Sequence, residues 1–118
     1  MKKQNICYID DLSYWLPQVI HSIPENVEYR FYYYNRIADI EEGIDFDIVI
    51  LDYYLDKDNK TWLDIIDRFQ WNIIIWFSSE DSCNARMIES GAFYSAKKIS
   101  HTNKNEALNS IMKKIFKE

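Results

Sequence analysis

The chain predicts an α/β domain in which five strand-and-helix units build one parallel sheet. Three observations carry that expectation. Short apolar runs alternate with helix-period stripes along the whole sequence, the run at 48–51 is apolar at every position, and no linker, repeat or low-complexity segment interrupts the pattern. A strand without polar positions suits a sheet covered on both faces, as crossover helices require. At 118 residues and 47% apolar content the chain fits a single domain, 1–118, around one core.

The first strand reads Ile6 to Ile9, and the helix after it gathers Leu12, Trp15, Leu16, Val19 and Ile20 on one stripe. Pro17 lacks the N–H that a helix interior uses, so the regular helix is placed to start near Ser13. Tyrosine-rich Glu28 to Tyr34 is the second strand, and Arg36 to Glu42 has room only for a short helix before the third strand at Ile48 to Leu51. The third helix begins at Thr61 as its cap, with Leu63, Ile66 and Phe69 toward the core. Ile73 to Phe77 is the fourth strand. The fourth helix runs from Asp81 to Ser90 and stops at Gly91, a residue suited to the left-handed conformation that ends helices. A fifth strand at Phe93 to Ala96 precedes a last helix with Asn103 and Glu106 at its start and a stripe of Leu108, Ile111, Met112, Ile115 and Phe116.

Composition narrows the function. A net charge of -5 without a clustered basic stripe argues against nucleic acid as a direct partner, and Lys113, Lys114 and Lys117 read as a solvated helix face. Neither an apolar leader nor a run of membrane-spanning length is present, so a cytoplasmic location with no membrane attachment is expected. Cys7 and Cys83 lack metal-ligand spacing and read as reduced, structural residues.

In open α/β sheets ligands bind beyond the carboxyl ends of the strands, so the polar residues just after each strand carry the functional information. These are Asp10 and Asp11, then Asp52, then Ser78, Ser79 and Glu80, then Lys97 and Lys98. Converging carboxylates repel one another in a partly desolvated site unless a cation compensates. Hard oxygen donors with room for water suit Mg²⁺, which commonly shares its shell with phosphate oxygens. A lysine opposite the metal and a serine hydroxyl would complete a phosphoryl site.

The stretches ICYIDDL, FDIVILDYYLD, IIIWFSSED and SGAFYSAKKI, in that order, resemble the receiver domain of bacterial response regulators over essentially the whole chain. Each stretch is short, and the specificity lies in five polar positions at strand ends. The resemblance implies a flavodoxin-like (βα)5 sandwich, helices on both faces of a parallel sheet of order 2-1-3-4-5. It implies that Asp52 accepts the phosphoryl group, that Asp11 binds Mg²⁺ directly and Asp10 through water, and that the Tyr54 carbonyl is a further metal ligand. Ser78 matches the switch hydroxyl. Lys98, seven residues after Gly91 as the family's spacing has it, matches the phosphate-pairing lysine in preference to Lys97. Tyr54 and Glu80 occupy positions that tune phosphoryl lifetime.

The implied partners are a sensor histidine kinase or phosphotransfer protein, a downstream protein target, and a second copy across the face of the fourth helix, fifth strand and last helix. The implied catalysis is limited to the chain's own phosphorylation and dephosphorylation. Departures from the family pattern fall on the output switch. Ile99 replaces a proline, Ser95 stands at the switch aromatic with Tyr94 one position earlier, and Asp56 replaces another proline. These departures keep open a second reading, a receiver-like interaction module that signals without phosphorylation.

Plainer readings apply to single residues. Asp10 or Asp11 could cap the first helix, Ser78 or Ser79 the fourth, and Lys97 and Lys98 could be surface charges. Position as a set is what favours the metal site. Other schemes fit worse. Glycine at 43 and 91 alone builds neither a dinucleotide turn nor a P-loop, and Asp10 and Asp11 would repel a flavin phosphate. The segment 56–67 lacks a calcium loop's central glycine and final glutamate, and Tyr54 stands where a haloacid-dehalogenase phosphatase needs its second acid.

Overall fold

The structure, a computed structural model, describes residues 3–52, 54–55, 60–61, 73–78, 94–98 and 105–116. Alternating apolar segments form strands β1 (Gln4–Ile9), β2 (Tyr29–Tyr34), β3 (Ile48–Leu51), β4 (Ile73–Ser78) and β5 (Tyr94–Lys97). They make one sheet in the order 2-1-3-4-5, every neighbouring pair parallel, as the sequence predicts. The order reverses beside β1, whose two neighbours are β2 and β3. That is the place where an open sheet leaves a crevice at its carboxyl edge.

The period of two along each strand sorts side chains onto two faces. One face holds Ile6, Tyr8, Ile48, Ile50, Ile75, Phe77 and Ala96, covered by Val19, Leu108 and Met112 from two helices. The other holds Cys7, Ile9, Val49, Leu51, Ile74 and Trp76, packed with Tyr34, Ile40 and Phe46. Both faces of the central strands are buried, which is why 48–51 carries no polar residue.

Helix α1 spans Leu16–Ser22, preceded by a single 3-10 turn at Ser13–Trp15. The regular helix therefore begins three residues after the expected start, which puts Pro17 in its first turn, where a missing N–H is harmless. The 3-10 turn also advances the chain by 3.0 rather than 3.6 residues per turn. The expected stripe is rotated accordingly. Val19 is buried and Trp15 and Leu16 pack on the core, whereas Leu12 and Ile20 are exposed. Gln18 and Ser22 take the buried places instead: Gln18 Oε1 accepts from Asn105 Nδ2 at 3.3 Å, and the Ser22 hydroxyl donates to the Val19 carbonyl at 2.6 Å.

Helix α2 spans Glu106–Ile115, and its cap is Asn105 rather than Asn103. The Asn105 side chain accepts from Leu108 N–H at 2.9 Å, while its Nδ2 donates to the Lys97 carbonyl at 2.7 Å and to Gln18 Oε1 at 3.3 Å. One buried amide thus joins the end of β5, α1 and α2. Asn109 donates to the Ser22 carbonyl at 2.9 Å, closing the polar seam between the helices. The apolar stripe of α2 lies as expected, with Leu108 and Met112 buried and Ile111, Ile115 and Phe116 packed against the same core.

Between β2 and β3 the expected short helix is one 3-10 turn, Ile37–Asp39. After β3 the chain forms a two-residue antiparallel ladder, Tyr54 opposite Thr61 and Leu55 opposite Lys60. Thr61, expected to open the third helix, is therefore extended. The third and fourth helices themselves, with Leu63, Ile66, Phe69 and Gly91, lie outside the described residues. Among the described residues no helix is long and apolar enough to cross a membrane.

Asn105→Ala removes a helix cap and leaves the Lys97 carbonyl without its donor. The expected loss is about 1–2 kcal/mol of unfolding free energy, measured by urea denaturation.

Candidate functional site

Asp10, Asp52 and Lys98 each stand one residue beyond a strand, and each continues the alternation of the face that carries Tyr8, Ile50 and Ala96. The strands fix their backbones. Asp10 N–H donates to the Tyr34 carbonyl at 3.2 Å and Asp52 N–H to the Ile9 carbonyl at 3.0 Å, so both ladders extend into the site. Side chains from β1, β3 and β5 then meet at the carboxyl edge of the sheet, in the crevice beside β1.

Lys98 Nζ lies 2.7 Å from Asp10 Oδ2 and 2.9 Å from Asp52 Oδ1. Asp10 is fully buried, and Asp52 and Lys98 are 8% and 7% exposed. Burying three charges is tolerable only because they pair and hydrogen-bond. The ammonium is further held over two rings, 5.4 Å from the centre of Trp15 and 5.6 Å from that of Phe77, where the negative ring faces attract it.

Asp10 has the densest set of partners. Its Oδ2 accepts from the Tyr8 hydroxyl as well as from Lys98, its Oδ1 accepts from Leu12 N–H at 2.9 Å, and its backbone carbonyl accepts from the Tyr33 hydroxyl at 2.9 Å. The bond to Leu12 N–H closes a local turn and is not the helix cap that the plainer reading gave Asp10, since neither the 3-10 turn nor α1 takes a side-chain cap at its start. Burial, followed by the Asp10 charge, pushes the Tyr8 hydroxyl well above its ordinary pKa, and the same causes raise Tyr33. Both hydroxyls stay protonated and donate.

Oxygens of Asp10, Asp11 and Asp52 lie within 4.8 Å of one another, close enough to ligate a common ion, with Asp11 half-buried at the mouth. Three carboxylates against one ammonium leave an excess of negative charge. The pKa of Asp52 is raised from 3.8 to about 7, first by burial and then by Asp10, against the opposing pull of Lys98. The donor set is all hard oxygen and under-neutralised, so the residues fit a divalent cation such as Mg²⁺.

Of the other predicted residues, Ser78 ends β4 directly opposite Lys97 of β5, and its side chain lies outside what is described. Lys97 is exposed and Lys98 buried in the site, so of the two lysines it is the second that the fold delivers. Tyr54 follows Asp52 by two residues in the short ladder. Ser79, Glu80, Asp56 and Ile99 lie outside the described residues. Tyr94 is half-buried against the core face shared with Phe77 and Ala96, and the period of two sets Ser95 on the opposite face.

Sequence reasoning missed Tyr8 and Tyr33 and assigned Trp15 only to the core. The signal for Tyr8 was available, since it precedes Asp10 by two residues in a strand and must share its face. Tyr33 needed the register, which pairs it with Tyr8.

No protein-family model matches the chain, and no curated protein does. Solved structures do. The BeF3-activated receiver domain of DrrB superposes with a TM-score of 0.71 at 17% identity, covering 99% of this chain and 100% of that one. The chemotaxis response regulator CheY4 of Vibrio cholerae gives 0.67 at 16%, covering 98% and 100%. The phosphorylated cyanobacterial phytochrome response regulator RcpA gives 0.67 at 13%, covering 97% and 91%. Against the longer DrrB of Thermotoga maritima, an OmpR/PhoB homologue, this chain spans 51% of the length. The chain has the fold of response-regulator receiver domains, a five-stranded parallel sheet of the flavodoxin type.

Two outcomes follow from the charge arrangement. Lys98→Met leaves Asp10 and Asp52 facing each other without a cation, and urea denaturation at neutral pH should show a loss of about 3–5 kcal/mol. The second concerns pH. In metal-free protein the folded state keeps the Asp52 proton up to about pH 7, while the unfolded chain releases it near 3.8. The native state thus binds more protons between those values, and stability falls as pH rises through that window. Asp52→Asn removes the dependence. The variant should exceed the wild type at pH 8 by on the order of 3 kcal/mol, the margin closing toward pH 4, as read by denaturation at each pH.

Proposed function

We propose that this chain is a phosphoryl-accepting receiver module of a two-component or phosphorelay system, with Asp52 as acceptor. What supports the reading above all is one arrangement: a buried carboxylate at the end of β3, within a metal's span of Asp10 and Asp11 and 2.9 Å from the Lys98 ammonium. The receiver fold agrees with it, but a fold alone does not select a function, and the weight rests on the site.

In this reading an oxygen of the Asp52 carboxylate attacks the phosphorus of a phosphohistidine on a sensor kinase or phosphotransfer protein. The new P–O bond forms in line as the P–N bond breaks, and the bonding pair leaves with the imidazole. Asp11 and Asp52 would hold Mg²⁺ with the Tyr54 carbonyl, and Asp10 would act through water. A bound Mg²⁺ supplies positive charge to the phosphoryl oxygens and keeps the nearby carboxylates ionised. Lys98 leaves its carboxylate partners to pair with the phosphoryl group, and the Ser78 hydroxyl donates to another of its oxygens.

Tyr54 and Glu80 would set how readily water removes the phosphoryl group. Movement of Ser78 would be transmitted through Tyr94 and Ser95 to the surface of β5 and α2, where a downstream protein or a second copy docks. The module is cytoplasmic and acts through protein contact, without membrane or nucleic acid.

Incubation with Mg²⁺ and a small phosphodonor, followed by intact mass, tests this directly. One phosphoryl adduct, labile in base and absent from Asp52→Asn, is expected. A folded protein that gains no adduct with donor and metal present would instead be a receiver-like interaction module.

A further inference from the structure

We infer that Tyr8 is a positioning residue of the ion site, its hydroxyl capping one oxygen of Asp10 so that Asp10 meets a divalent ion only through the other. The inference rests on the metal-site reading above and adds to it a residue with its own task. A carboxylate offers about four lone-pair sites, two on each oxygen. Asp10 Oδ2 accepts from the Tyr8 hydroxyl and from Lys98 Nζ, which fills that oxygen. Among the described residues Oδ1 accepts only from Leu12 N–H, leaving one site. An ion or its bound water therefore reaches Asp10 by Oδ1 alone.

Tyr8 itself is placed for this by three constraints. It is fully buried, its ring packs 5.6 Å from that of Tyr33 and 6.2 Å from that of Phe77, and its alternation in β1 aims it at the Asp10 side of the sheet. Asp10 does not depend on Tyr8 for its orientation, because Leu12 N–H, Lys98 and the Tyr33 hydroxyl on its carbonyl hold it independently. Removing the Tyr8 hydroxyl thus uncaps Oδ2 without releasing the residue. Oδ2 then keeps only Lys98, and in a site already rich in negative charge its vacated lone pair becomes an additional ligand position, so ion binding tightens.

The test uses Mn²⁺ as a spin probe, displaced by Mg²⁺, at pH 8 on the whole chain. Tyr8→Phe keeps the ring packing and should bind the ion about fivefold more tightly than the wild type, with the gain disappearing in the Asp10→Asn background. A folded Tyr8→Phe with unchanged or weaker affinity, or a gain that persists with Asn at 10, overturns the inference. A merely structural tyrosine would weaken binding equally in both backgrounds. Independently of any change at Tyr8, Asp10→Asn alone should weaken binding by less than about threefold and Asp11→Asn by more than about tenfold. Equal losses also overturn it. If wild-type protein binds neither ion, the metal-site reading itself fails, and the inference falls with it.

Discussion

One ammonium between two buried carboxylates organises the carboxyl edge of this sheet. Lys98 comes from β5 and its partners from β1 and β3, so the contact spans the sheet between strands distant in sequence. None of the three could be buried alone, since an unpaired charge in an apolar interior costs several kcal/mol or takes up or loses a proton instead. The lattice of parallel ladders, the Tyr8 and Tyr33 hydroxyls and the aromatic walls of Trp15 and Phe77 are what make the triple contact tolerable. Even so the balance is incomplete, because one positive charge faces three carboxylates and Asp52 holds its proton to about pH 7.

The stability of this edge is therefore supplied from elsewhere in the fold. β1, β3 and β4 are covered on both faces, and Ile6, Cys7, Ile50, Leu51, Ile75 and Trp76 are inaccessible to solvent. A fully buried side chain of this kind contributes roughly 1.5–3 kcal/mol. The site occupies the ends of the same strands, so deeply buried strands among the described residues carry the buried charges. Paired strands also hold Asp10, Asp52 and Lys98 in fixed relation.

Much of this was legible in the sequence because strand ends are easy to locate when strands are apolar runs. Asp10, Asp52 and Lys98 each follow such a run at once, and the parallel topology brings all run ends to one edge. What was not legible depended on register or phase. The 3-10 turn at Ser13–Trp15 rotated α1 and exposed Leu12 and Ile20, while Gln18 and Ser22 went inside to meet Asn105 and Asn109. A hydrophobic stripe cannot announce a buried polar seam, because its members look like the solvent face until their partners are known. Likewise Asn103 and Asn105 are equivalent as letters, and only the Lys97 carbonyl and Leu108 N–H select the second.

The fold and the site carry different kinds of information. Receiver domains at 13–17% identity superpose over nearly the whole chain, which establishes architecture and little more. The chemistry follows from an electrostatic argument particular to these residues. Burial first and the Asp10 charge second raise the pKa of Asp52, and the negative charge gathered beside it is what a divalent cation would offset. A bound cation would oppose the Asp10 contribution and favour the ionised form of Asp52. In the proposed reading, acceptor competence and ion binding would be linked through Asp52, with which Asp10 shares Lys98. The Tyr8 hydroxyl meets this pair through Oδ2 of Asp10, the oxygen that also accepts from Lys98.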